Sequence, residues 1–187
     1  MQLRSSESRY GAVAQVFHWT IVVMIIAQFV LAYEADHMSM GLHKLATLAR
    51  HKSIGMTIFG LAVLRLLWRW SNPTPSLPPA MARWERWGAH LSHFALYALL
   101  LLQPLSGLLM SSAKNYSVSW FGLFTFPNLV QPDEALFDFF KAAHGVLGSL
   151  LFFVALLHML AALKHHFWNK DDVLRRMLPM RLRNPTR

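Results

Sequence analysis

The stretch FKAAHGVLGSLLFFVALLHMLAAL (residues 140–163) decides the fold. It is 24 residues long and carries one lysine and two histidines in an otherwise apolar or small-residue run. A helix needs about 20 mainly apolar residues to cross the hydrocarbon layer at a rise of about 1.5 Å each, so this segment reads as a transmembrane helix. Its two histidines, His144 and His158, are 14 residues apart. At about 100° per residue they return to within roughly 40° of one face, separated by about 21 Å along the axis.

Working outward, three more segments qualify as spans: residues 13–33, 51–70 and 89–111. The composition agrees, with 55% hydrophobic and 14% charged residues; a soluble domain is nearer one quarter charged. The expected fold is all-α, an integral membrane four-helix bundle forming one domain over residues 1–187. The segment 72–79 (NPTPSLPP) cannot continue a helix and breaks the second span from the third. Residues 38–50 look amphipathic and are expected to lie along the membrane surface. Residues 114–138 form an aromatic-rich connection suited to the interface. Arg4 and Arg9 before an apolar run resemble the start of a signal peptide. The run over 13–33 is too long for that and no A-x-A-like site follows, so it is read as a retained first helix.

The net charge of +9 raises nucleic acid as a partner, but the basic residues cap hydrophobic spans, which is the pattern of membrane topology. Lys and Arg number thirteen on the side of the N-terminus, the second connection and the C-terminal tail, against five on the other. Both termini are therefore expected to be cytoplasmic. The chain has no cysteine, which excludes disulfides, thiolate metal sites, iron–sulfur clusters and covalently attached c-type haem.

Ionisable residues within lipid are costly and point to function. On the expected topology, His18 lies in the inner part of the first span and His51 near the outer end of the second. On the inward-running fourth span, His144 is outer and His158 inner. The depths match as His51 with His144 and His18 with His158. Two separated imidazole pairs suit two b-type haems doing electron transfer; tetrahedral zinc wants four ligands in one cluster. Gly55, Gly145 and Gly148 adjoin the ligands and would let a porphyrin approach backbone, although small residues equally serve helix packing.

Arg65 follows His51 by 14 residues, near the same face at inner depth, where it would meet a haem propionate or a quinone oxygen, or snorkel to the membrane edge. Arg50 and Lys52 flank His51 and would focus an anion there, neutralise a propionate, or contact headgroups. His90 and His93 are secondary candidates as ligands or proton carriers. His165, seven residues past His158, is a candidate proton donor to a quinone or part of a solvated basic end. A plain bundle with hydrogen-bonded histidines and a haem-free metal or proton transporter remain as rivals.

His18-Trp19, His51 with Gly55, Arg65-Leu66-Leu67-Trp68-Arg69 and the proline-rich break together resemble the bacterial cytochrome b-561 family. So do His90-Leu91-Ser92-His93, Pro104 with Gly107, and His165-His166-Phe167-Trp168. The resemblance covers nearly the whole chain. It implies a multi-pass protein of the bacterial inner membrane holding two haem b groups. It further implies oxidation of superoxide at the periplasmic face, ubiquinone as electron acceptor, and a place for His165 at the quinone site. Relatives with the same four histidines serve as cytochrome subunits of dehydrogenases and hydrogenases or as stand-alone carriers, so the motif identifies the wiring better than the donor.

Overall fold

The computed structural model describes residues 2–178. Four long helices account for most of it: α1 (Ala12–His37), α2 (Leu42–Trp70), α3 (Arg83–Ala113) and α4 (Glu134–Phe167). All four are long and apolar enough to cross a membrane. Between α3 and α4 lies a short antiparallel hairpin, β1 (Val118–Trp120) with β2 (Phe124–Phe126), in the register Val118↔Phe126 and Trp120↔Phe124. Its turn carries positive φ at Phe121 (49°) and Gly122 (77°), as a tight hairpin turn requires.

Each helix overruns its expected span, because the interfacial turns carry polar residues that still continue the helix. The largest difference is at residues 38–50. These do not form a separate surface segment: α2 begins at Leu42 and runs unbroken to Trp70. Nothing after Gly41 interrupts a helix, since residues 42–70 hold no proline and their glycines stand singly. His51 therefore sits about two and a half turns inside α2 rather than opening it.

The bundle is turned outward in the manner of lipid-facing proteins. Val23, Ile26, Phe153 and Leu157 are exposed, while a cluster of Ile21, Ile58, Ala62, Leu99, Leu100 and Leu151 fills the interior. Leu151 stands midway between His144 and His158 on α4, and Ile58 midway between His51 and Arg65 on α2, so this cluster separates two polar layers. Pro104 lies inside α3, where it removes one backbone hydrogen bond. Asp133 caps α4 by accepting from Leu136 N at 2.8 Å.

The two ends differ in construction. At one end the N-terminal segment, the second connection and residues 168–178 interlock: Ser76 N donates to Glu7 O, Trp19 Nε1 to Met177 O, Arg9 Nη2 to Leu178 O, and Arg176 to Ser76 O. This is the termini end. Arg181, Arg183 and Arg187, which contribute to the charge asymmetry, lie outside the described residues. At the opposite end the hairpin docks on α2 through Ser53 Oγ, which donates to Ser119 O (2.9 Å) and accepts from Phe121 N (3.1 Å), and through Trp120 Nε1 donating to Thr57 Oγ1 (3.0 Å).

Candidate functional site

Antiparallel packing brings α1 beside α2 and α3 beside α4, and it sets histidines opposite each other at two depths. Toward the hairpin end, the rings of His51 (α2) and His144 (α4) have centroids 6.3 Å apart with an interplanar angle of 74°. Toward the termini end, His18 (α1) and His158 (α4) lie 6.4 Å apart at 68°. Two imidazoles on opposite sides of one metal, with bonds of about 2.0–2.1 Å and about 1.1 Å from nitrogen to centroid, have centroids roughly 6.3 Å apart. Both pairs therefore fit an iron held between two rings. Among the described residues no group of three or more His, Cys, Asp or Glu side chains is placed to hold a metal ion.

Around the His51/His144 pair the contacts are neutral. His144 Nδ1 lies 3.1 Å from the carbonyl oxygen of Gln103 and 3.0 Å from Ser106 Oγ. Donation to that carbonyl keeps the ring proton on Nδ1 and leaves Nε2 as the lone-pair nitrogen. Ser106 Oγ donates in turn to Gln103 O at 2.8 Å, and Gln103 Nε2 approaches His144 Nε2 at 3.2 Å. On the other side Gln28 Nε2 donates to His51 O at 3.0 Å. His51 Nδ1 and the side-chain oxygens of Gln28 and Gln103 are buried without a partner among the described residues, and buried polar groups of that kind call for an occupant that supplies partners.

The glycines divide. A Cβ at Gly55 would come within 3.0 Å of Gln28 Nε2, and one at Gly148 within 3.2 Å of Gln103 Nε2, whereas Gly145 faces open space. Gly107 is the closest to a histidine: its Cβ would stand 3.0 Å from His144 Cε1 and 3.3 Å from Nδ1.

Around the His18/His158 pair the contacts are cationic and aromatic. Arg65 Nη2 lies 3.2 Å from His18 Nδ1. The Arg65 guanidinium lies over the Tyr97 ring at 5.4 Å and that of Arg69 over the same ring at 6.0 Å. His93 stands closer to His158 than His18 does, with ring centroids 5.3 Å apart, so α3 adds a third imidazole at this depth.

His90 is not part of that group; it lines a shallow surface groove with Arg83, Arg86 and Trp87. His165 is buried near the termini end, its Nδ1 2.5 Å from Asp171 Oδ2 and 3.1 Å from Asn169 Nδ2. Nearby, Lys164 pairs with Glu85 at 2.5 Å, and that hydrogen bond holds the Glu85 carboxyl below its ordinary range. At the hairpin end, Lys114 pairs with Glu134 at 2.6 Å, which raises the lysine. Lys52 turns toward the hairpin, with Nζ 3.5 Å from Ser117 O and 5.6 Å from the Tyr116 ring centre, and Arg50 is exposed.

Gln28, Gln103, Ser106 and Tyr97 were not singled out by sequence reasoning. The signal was there in the two amides, since a glutamine within an apolar span is costly unless it has a partner.

Residues 9–180 match the profile of prokaryotic cytochrome b561. The chain belongs to that family. Among curated relatives it is 35% identical over 181 residues to cytochrome b561 homolog 2 of Escherichia coli (strain K12), covering 95% of both chains. It is 36% identical over 129 residues to the probable superoxide oxidase CybB of Yersinia pestis, covering 69% of this chain and 73% of that one. It is 30% identical over 131 residues to cytochrome b561 homolog 1 of Escherichia coli (strain K12), covering 70% and 74%. Membership in the cytochrome b561 family makes this a multi-pass bacterial membrane protein of electron transport that uses b-type haem.

Proposed function

We propose that this cytochrome b561 carries electrons through the inner membrane by way of two b-type haems, one held by His51 and His144 and the other by His18 and His158. The hairpin end is then periplasmic and the termini end cytoplasmic, as the thirteen-to-five distribution of Lys and Arg supports. The observation that carries the reading is the pair of ring separations, 6.3 and 6.4 Å, each fitting two imidazoles about one iron. Each haem supplies a one-electron ferric/ferrous couple.

The side chains bind and orient. Gln103 O and Ser106 fix the tautomer of His144, and Arg65 lies against His18, where a haem propionate or a quinone oxygen would also find a donor. The donor is superoxide at the periplasmic face, a reading supported by the likeness to the probable superoxide oxidase. The acceptor is ubiquinone near the termini end. Two electrons and two protons convert it to quinol, with His165, positioned by Asp171, and then His90 or His93 as proton donors.

A second reading has a specific observation in its favour. The relative that matches along 95% of both chains is named only as a cytochrome b561 homolog. On that reading the same wiring passes electrons between quinone and a partner dehydrogenase or c-type cytochrome.

The test is to purify the protein in mild detergent, count haem b per chain by pyridine haemochrome, and follow the reduced α-band after adding superoxide. Two haems that reduce promptly and are re-oxidised by ubiquinone are expected. Two haems indifferent to superoxide would shift the assignment to a protein donor, and a colourless protein after haem-replete expression would refute the haem reading.

A further inference from the structure

The two candidate sites use the same ligand pair, so ligand identity contributes equally to both reduction potentials. What remains to distinguish them is the hydrogen bonding of the ligands and the fixed charge around them. On both counts the sites are opposites. His144 Nδ1 faces two oxygens, Gln103 O at 3.1 Å and Ser106 Oγ at 3.0 Å. A ligand that donates to such acceptors becomes more basic and favours the ferric state. His18 Nδ1 instead faces the Arg65 guanidinium at 3.2 Å. When Nε2 carries iron and Nδ1 the ring proton, Nδ1 can no longer accept from Arg65, so the guanidinium acts on that site only as a nearby charge; a positive charge favours the ferrous state, which is one unit less positive.

No acidic side chain among the described residues pairs with Arg65. Glu85, Asp171 and Asp172, acids of the termini end, are each engaged with Lys164, His165 and Arg176. Arg69 adds a second cation on the same Tyr97 ring. Near the His51/His144 pair the candidate cations are Arg50, which is exposed, and Lys52, whose ammonium is drawn toward the hairpin at Ser117 O.

We infer that Arg65 is a positioning charge that raises the reduction potential of the haem at His18/His158 above that of the haem at His51/His144, so that an electron entering at the hairpin end moves downhill toward the termini end. The inference rests on the di-haem reading and adds to it the order of the two potentials and the residue that sets it. One electron leaves the ferrous haem of the first pair and reduces the ferric haem of the second; no proton moves in that step. A full charge several ångströms from the iron, at an effective dielectric near 20, changes a reduced-to-oxidised ratio by about ten- to a hundredfold.

The experiment is a mediated redox titration of the α-band in detergent, where no membrane potential acts. It uses the wild type, Arg65→Gln and Arg65→Lys, and two single-haem variants, His144→Ala and His158→Ala. The haem left in His144→Ala should titrate at the higher potential. Arg65→Gln, placed in that background, should lower its reduced-to-oxidised ratio at fixed ambient potential at least about tenfold, with Arg65→Lys restoring most of it. In the His158→Ala background Arg65→Gln should change little.

The reverse order of potentials, equal shifts in both backgrounds, or no shift in either would overturn the inference. So would haem loss on Arg65→Gln with the single-haem potentials equal, which would leave Arg65 a binding residue only. The order of the two single-haem potentials, measured with Arg65 intact, decides the matter even where Arg65→Gln binds no haem. Absence of haem from the wild type would instead refute the di-haem reading itself.

Discussion

The two histidine pairs are alike in what they present and unlike in what surrounds them. Each offers two imidazoles from facing helices at nearly the same separation, 6.3 and 6.4 Å. The pair toward the hairpin is set among amides, a hydroxyl and a carbonyl; the pair toward the termini is set among Arg65, Arg69, Tyr97 and a third histidine, His93. A bundle can therefore repeat one ligand geometry at two depths and still make the two sites chemically distinct. The distinction lies in residues that need not bind the metal.

The comparison breaks most visibly at the ligands. His144→Ala is expected to reduce haem content from two per chain to one, and His158→Ala to do the same at the other site, each measured by pyridine haemochrome. If either variant lost both haems while remaining folded by circular dichroism, the sites would not be independent.

A smaller effect sharpens the difference between the pairs. Gly107→Ala places a Cβ 3.0 Å from His144 Cε1, so the ring must shift by a few tenths of an ångström. Overpacking of this kind costs about 1–3 kcal/mol. Haem transfer to an excess of apomyoglobin should speed up by roughly ten- to a hundredfold at the His51/His144 site, with the other site unaffected.

The smallest expected effect lies outside the spans, where Lys164 holds the Glu85 carboxyl below its ordinary pKa of 4.5. A lowered carboxylate contributes stability above the unfolded pKa and loses it as pH falls through the folded value. Glu85→Gln should lower the melting temperature slightly at pH 7, where the wild-type carboxylate is fully ionised and paired, and the two profiles should converge as pH falls below about 4.5. Profiles that coincide at pH 7 as well as in acid would show that the Lys164 contact adds nothing to the fold.

The spans were legible because lipid imposes a length and a polarity that few other contexts share. The 14-residue spacing of His144 and His158 was enough to ask for two partners at two depths, and His51 and His18 lie opposite them. The helix ends were less legible: a hydropathy window stops at the polar turns that hold Lys44 and Arg50, whereas α2 continues through them from Leu42. The hairpin went unread because its strands are three residues long and its aromatic residues fit an interfacial loop equally well. Gly122 between Val118-Ser119-Trp120 and Phe124-Thr125-Phe126 was the available signal. The cation Arg65 was legible from its 14-residue spacing after His51, whereas Gln103, Ser106 and Tyr97 could not be read, because their placement depends on how α3 is rotated about its axis.

Between the two pairs lies the apolar layer of Ile21, Ile58, Ala62, Leu99, Leu100 and Leu151. None of these side chains can accept or pass on a proton, while an electron needs no such relay to cross a packed hydrocarbon layer. On the proposed wiring, the protons for quinol come from the termini end and the electrons from the hairpin end, and the layer keeps the two currents apart. Each electron that crosses it then moves one negative charge inward uncompensated, which makes the protein a generator of membrane voltage as well as a conductor.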